Sequence, residues 1–219
     1  MSDRQESVSI PGVPARALRA LGLLIAVMCA IEAAIWLFGL FLGTPAGARA
    51  VVLENAAFWP GLLRDWQPNY TVQPWTMFLT YGFLHGGIIH LAVNMLALWS
   101  LGVRVLERVG LARFAAIYGA SLVGGAAVFG LLAADLRPMV GASGALFGLA
   151  GAVLAWEFRD RAAHALSLSP VIRAVALLLA LNFVLWWAMQ GLLAWQTHLG
   201  GFVAGGLVAM LLDPPARAR

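Results

Sequence analysis

The sequence has 219 residues, of which 62% are hydrophobic and 11% charged, with a formal net charge of +4. A mean hydropathy of +0.85 excludes an ordinary soluble domain and a disordered chain, and puts the protein in the membrane class. Arginine carries all the positive charge, and no basic cluster is interleaved with aromatics, so nothing marks a nucleic-acid surface.

Apolar runs of about 20 residues, separated by charged or Gly/Pro-rich breaks, predict six membrane spans. In chain order they are 17–42, 86–106, 111–133, 141–157, 170–190 and 195–212. Together they predict an all-α core over 17–212, with short tails at 1–16 and 213–219. Span one has arginines ahead of it, like a signal peptide. Its long apolar core and the interrupting Glu32 predict that it is retained. Glu32 has no evident partner in the sequence and is expected to make a structural hydrogen bond. Cys29 is the only cysteine, so no intrachain disulfide forms. The one long connection, 43–85, is rich in Trp, Pro and Asn. Trp59, Trp66, Tyr70, Trp75, Trp186, Trp187 and Trp195 fit an interfacial belt on one side of the membrane.

Six spans put both termini on one side. That side carries Arg4, Arg16, Arg19, Arg104, Arg108, Arg113, Arg159, Arg161, Arg173, Arg217 and Arg219, against only Arg49, Arg64 and Arg137 on the other. The positive-inside rule predicts cytoplasmic termini and an outer loop at 43–85.

Polar groups within spans are costly and point to function. Here they are Glu32, His85, His90, Asn94, Ser143, Asn182 and His198. Spans two, four and six all run from outside to inside. Ser143 precedes Glu157 by 14 residues and His198 precedes Asp213 by 15, about 21 and 22 Å at the helical rise. Asn94 precedes Arg104 and Glu107 by 10 and 13 residues, about 15–20 Å. The three side chains are therefore expected at one depth below the outer surface. Span four, starting near Ser143, is too short for a bilayer about 30 Å thick. The stretch "RPMVGA", 137–142, must then dip inward as irregular backbone around a water-accessible pit, with a helix N-terminus at its floor.

A serine becomes a nucleophile when a base takes its proton. His198 is the depth-matched base. Gly144 and Gly148 on span four and Gly201 and Gly205 on span six share the spacing that lets helices meet closely. No acid lies at this depth on the even spans, which predicts a Ser–His dyad without a carboxylate. His90 and Asn94, four residues apart, share a helix face and can donate to an oxyanion together with the Ser143 backbone N–H. Asn182 reads as an interhelical hydrogen bond. A zinc site from His85, His90 and His198 is an alternative that leaves Ser143 unexplained. A proton-coupled transporter is another.

The motifs resemble those of the rhomboid intramembrane serine proteases, of the basic six-helix bacterial type. "HGGIIHLAVN", 85–94, is similar to the family's H-x4-H-x3-N. "GASG", 141–144, resembles its GxSG nucleophile motif, and "HLGGFVAG", 198–205, its H-x2-G-x3-G. "GVRVLERVG", 102–110, resembles its glutamate stretch, which implies a structural role for Glu107. The resemblance covers about residues 73–206. It implies cleavage of transmembrane proteins near the outer face, without metal or cofactor. Ser143 would be nucleophile and His198 base. His90, Asn94 and the Ser143 N–H would form the oxyanion hole. Gly141, Gly144, Phe147, Gly201 and Gly205 would pack around them. Loop 43–85 would be the membrane-associated first loop. Substrate would enter between spans two and five, beside Trp186 and Trp187. The implied location is the cell inner membrane, with the site opening to the periplasmic or extracellular side. Membrane lipid is the expected surrounding. Trp75-Thr76 stands where the family often has Trp-Arg, and Phe147 where tyrosine is frequent. A catalytically silent relative that escorts membrane clients is the competing reading.

Overall fold

The computed structural model describes residues 10–41, 43–134 and 136–213. Arg4, Asp135, Arg217 and Arg219, and most of both expected tails, lie outside the described residues. Seven α-helices are described: α1 (Ala15–Phe41), α2 (Pro45–Ala56), α3 (Gln73–Thr80), α4 (Ile88–Leu132), α5 (Ser143–Ala163), α6 (Ser169–Ala188) and α7 (Trp195–Leu212). No strand occurs among the described residues. One isolated bridge joins Phe58 to Met139.

Helices α1, α4, α6 and α7 are long and apolar enough to cross a membrane. At 45 residues, α4 spans about 68 Å, twice a bilayer core. It is two helices that meet at Gly110, where φ is 75° and ψ 177°. This conformation is open to glycine and strained for other residues. The connection expected between the spans 86–106 and 111–133 is therefore only this one-residue break. The helix of span four runs on to Ala163, 21 residues or about 31 Å, beyond the apolar stretch, and it is not among the helices apolar enough to cross a membrane over their whole length. Its last turns carry Glu157, Arg159, Asp160 and Arg161, which explains why hydropathy ends the span at 157.

The core is the packing of α4, α5 and α7. Small residues make it tight. A Cβ on Gly201 would run into the Gly144 carbonyl, one on Gly205 into Gly148, and one on Gly148 into the Ser121 hydroxyl. The paired small faces expected from the sequence thus meet backbone to backbone, where van der Waals packing is the main attraction between helices in lipid. Outside this core, α6 buries only Val171.

The ends of α5 and α7 meet the break in α4. Arg108 bonds Asp160 at 2.8 Å and Asp213 at 3.0 Å, and Arg159 also pairs with Asp213. The Arg108 guanidinium lies over the Trp156 ring, 4.9 Å from its centroid. Arg108 holds the Asp160 carboxyl below the usual carboxylate range, by hydrogen bonding and by charge.

Loop 43–85 is largely structured. Besides α2 and α3 it contains two 3-10 turns, Pro60–Leu63 and Tyr81–Phe83. It takes up the irregular stretch 137–142. Phe58 and Met139 exchange two backbone hydrogen bonds at 3.0 and 2.9 Å, and the Gly141 N–H donates to the Tyr81 carbonyl at 3.0 Å. Irregular backbone inside a membrane bundle is tolerated when protein satisfies it in this way. Thr76 bonds the Tyr70 hydroxyl at 3.0 Å.

Candidate active site

The irregular stretch delivers the chain to Ser143, the first residue of α5. Gly141 has φ +124°, and this left-handed residue turns the backbone into the helix. A Cβ there would stand 2.8 Å from His90 Cε1 and 3.0 Å from His90 Nε2. Glycine is therefore required both for its dihedral and for the space beside His90.

Ser143 Oγ lies 2.8 Å from His198 Nε2. His198 starts the second turn of α7, and the Gly144–Gly201 contact one turn below brings the two side chains together. The Phe147 ring stacks on the imidazole, 4.1 Å between centroids and 4° from parallel. Phe147 is four residues after Ser143 and so stands on the same helix face.

The other imidazole nitrogen is also engaged. His198 Nδ1 is 2.8 Å from Asn182 Oδ1. The sequence predicts an interhelical bond for Asn182 and no carboxylate beside His198. The bond that Asn182 makes from α6 to α7 is this one, to His198 itself. An amide oxygen only accepts, so Nδ1 carries the proton and Nε2 offers its lone pair to the Ser143 hydroxyl. The group on Nδ1 is an amide on span five, neither a carboxylate nor on an even span. Its recoverable signal was a lone amide in a strongly apolar helix.

His90 and Asn94 face Gly141 from α4. The site where a Gly141 Cβ would stand is 3.6 Å from Asn94 Nδ2. Asn94 is 5% exposed, and its Nδ2 has no hydrogen-bond partner among the described residues. A buried amide donor without a partner costs about 1–3 kcal/mol. Such a cost beside the Ser143–His198 pair points to a group that is satisfied only when a ligand oxygen arrives. The first-turn N–H groups of α5, Ser143 included, have no intrahelical acceptor. His90 and Asn94 thus stand beside Gly141, two residues before Ser143.

Other expected residues fall elsewhere. Glu107 is exposed near the chain entering α1, its side chain 3.4 Å from where a Gly12 Cβ would stand. Trp187 is 73% and Trp186 38% exposed on the outer surface of α6. Trp186 is one turn beyond Asn182 on the same face. No three His, Cys, Asp or Glu side chains are grouped to hold a metal ion among the described residues. The rings of His85 and His90 pack edge to face at 5.3 Å, while both nitrogens of His198 are occupied by Ser143 and Asn182.

A family model described as Rhomboid domain matches residues 72–214, well over half of the chain. Among curated proteins, the chain is 35% identical over 136 residues to RHOMBOID-like protein 5 of Arabidopsis thaliana, covering 59% of this chain and 41% of that one. It is 34% identical over 142 residues to Rhomboid protease GluP of Bacillus subtilis, covering 64% and 27%. It is 30% identical over 156 residues to Rhomboid-type serine protease 2 of Emericella nidulans, covering 66% and 29%. The chain spans less than half the length of these relatives.

Proposed function

This chain belongs to the rhomboid family, and from that premise we propose that it is an intramembrane serine endopeptidase acting on transmembrane proteins. The observation that carries this reading is the 2.8 Å contact from Ser143 Oγ to His198 Nε2, beside an unpartnered Asn94 amide. In the proposed reaction Ser143 Oγ attacks the scissile carbonyl as its proton passes to His198 Nε2. The oxygen that becomes negative takes hydrogen bonds from the Ser143 N–H, Asn94 Nδ2 and His90 Nε2. His198 then protonates the leaving amine, and water resolves the acyl-enzyme by the same steps in reverse. Asn182 holds the tautomer of His198. Being neutral, it gives the imidazolium less support than a carboxylate would.

The fold supports a multi-pass membrane protein. We place the termini and the Arg108 cluster on the cytoplasmic side of the inner membrane by the arginine distribution, with the catalytic pit opening to the periplasmic or extracellular side. Substrate enters beside α6, whose face is largely unpacked, near Trp186 and Trp187.

The test is cleavage of a model transmembrane substrate by purified protein, with Ser143→Ala and His198→Ala as comparisons. Each change is expected to lower the rate by several orders of magnitude. Wild-type protein that neither cleaves nor reacts at Ser143 with a serine-directed probe overturns the protease reading in favour of client binding.

A further inference from the structure

The peptide unit between His85 and Gly86 is gripped from both sides. Its carbonyl accepts from Arg49 Nη1 at 2.7 Å. Its N–H donates to His90 Nδ1 at 3.2 Å. Arg49 is held in turn by Glu32, through Nη2 to Oε1 and through Nη1 to Oε2 at 3.4 Å. The Glu32 side chain is 3% exposed and that of Arg49 25%. The partner that Glu32 lacked in the sequence is therefore on α2, and the pair ends on the loop that enters α4.

The direction of these bonds matters. A backbone N–H only donates, so His90 Nδ1 is the acceptor and the neutral ring carries its proton on Nε2. Nε2 is the nitrogen that faces Gly141 and the space beside Ser143. Arg49 pulls electron density through the same amide, which makes the Gly86 N–H a better donor, as in other polarised hydrogen-bond chains. We infer that Glu32 and Arg49 are positioning residues for the oxyanion site: acting through the His85–Gly86 peptide, they fix His90 in the Nε2–H tautomer and aim that proton at the reacting oxygen. This rests on the reading of His90 as an oxyanion donor.

A purely structural role is the competing explanation, because a buried carboxylate needs a partner wherever it lies. A coupling experiment separates the two. Transmembrane-substrate cleavage is measured for Arg49→Met, His90→Ala and the double variant. Removing an oxyanion donor outright costs about 100- to 1,000-fold in kcat. Loss of its positioning is expected to cost part of that, about 10- to 100-fold in kcat, with little change in KM. In the His90→Ala background the same Arg49→Met change is expected to cost under about threefold, because its target is gone. An equal loss in both backgrounds makes the pair structural and overturns the inference. An unchanged kcat in His90→Ala removes the oxyanion role of His90, and the inference with it, while leaving Ser143 and His198 untouched.

Glu32→Gln keeps an acceptor for Arg49 and supplies a folded variant if Arg49→Met unfolds. Its smaller loss must likewise vanish without His90. A readout independent of activity is 15N NMR of histidine-labelled protein, with His90→Ala to assign the signal. His90 is expected to be Nε2-protonated in wild type and to become a tautomer mixture in Arg49→Met. Nδ1-protonated His90 in wild type refutes the relay even if the protein is an active protease.

Discussion

Replacing Asn182 by leucine removes the acceptor for His198 Nδ1 at nearly constant volume. The bond is 2.8 Å long and His198 is 5% exposed, so no bulk water takes its place. Two states then compete. One keeps the proton on Nδ1 with no acceptor, which costs about 1–3 kcal/mol for a buried donor. The other moves the proton to Nε2, where it faces Ser143 Oγ and blocks proton transfer. Reaching the productive tautomer therefore costs up to the same 1–3 kcal/mol, or about 5- to 160-fold in rate. Asn182→Asp retains an acceptor oxygen whether or not it is ionised, and is expected to stay within about tenfold of wild type. The assay is kcat and KM for a transmembrane substrate in detergent micelles or liposomes, with thermal unfolding as the control for folding. The loss should fall on kcat, because the bond shapes the reacting groups and not the substrate's seat. An Asn182→Leu protein that keeps kcat within twofold would falsify the orienting role. Equal losses in the leucine and aspartate variants would trace the effect to helix packing.

Gly201→Ala drives a methyl group into the Gly144 carbonyl. Overpacking of this kind costs about 1–3 kcal/mol, and it separates α5 from α7, so a lower midpoint of thermal unfolding and slower labelling of Ser143 are expected together. Phe147→Leu removes the 4.1 Å stack on His198. Such a ring pair contributes about 0.5–1.5 kcal/mol, which predicts a 2- to 13-fold fall in kcat, at roughly 1.36 kcal/mol per factor of ten, restored by Phe147→Tyr. At the other end of the bundle, Arg108 depresses the Asp160 pKa. A carboxyl lowered in the folded state contributes stability above its unfolded pKa of about 3.9 and loses it as pH falls through the lower folded value. The Arg108 contribution should therefore be constant from neutrality to about pH 4 and disappear below it. Because the Asp160 side chain is 45% exposed, the effect is expected to stay under about 1 kcal/mol, read as the pH dependence of the difference between wild type and Arg108→Met.

The membrane class, the helical architecture and the pairing of Ser143 with His198 were legible without coordinates. Hydropathy is a local property, and span length is set by bilayer thickness. Depth along a helix follows from residue count at a fixed rise, so Asn94, Ser143 and His198 could be placed at one level from sequence alone. The small residues that join α5 to α7 announce themselves by spacing. Depth says nothing, however, about which way a side chain points between helices from distant parts of the chain. That direction depends on helix rotation and tilt, set by packing of the whole bundle. The bond from Asn182 to His198 and the grip of Glu32 and Arg49 on the peptide before His90 arise only there, because both join polar groups brought together by the close packing of helices and loops that share no local pattern.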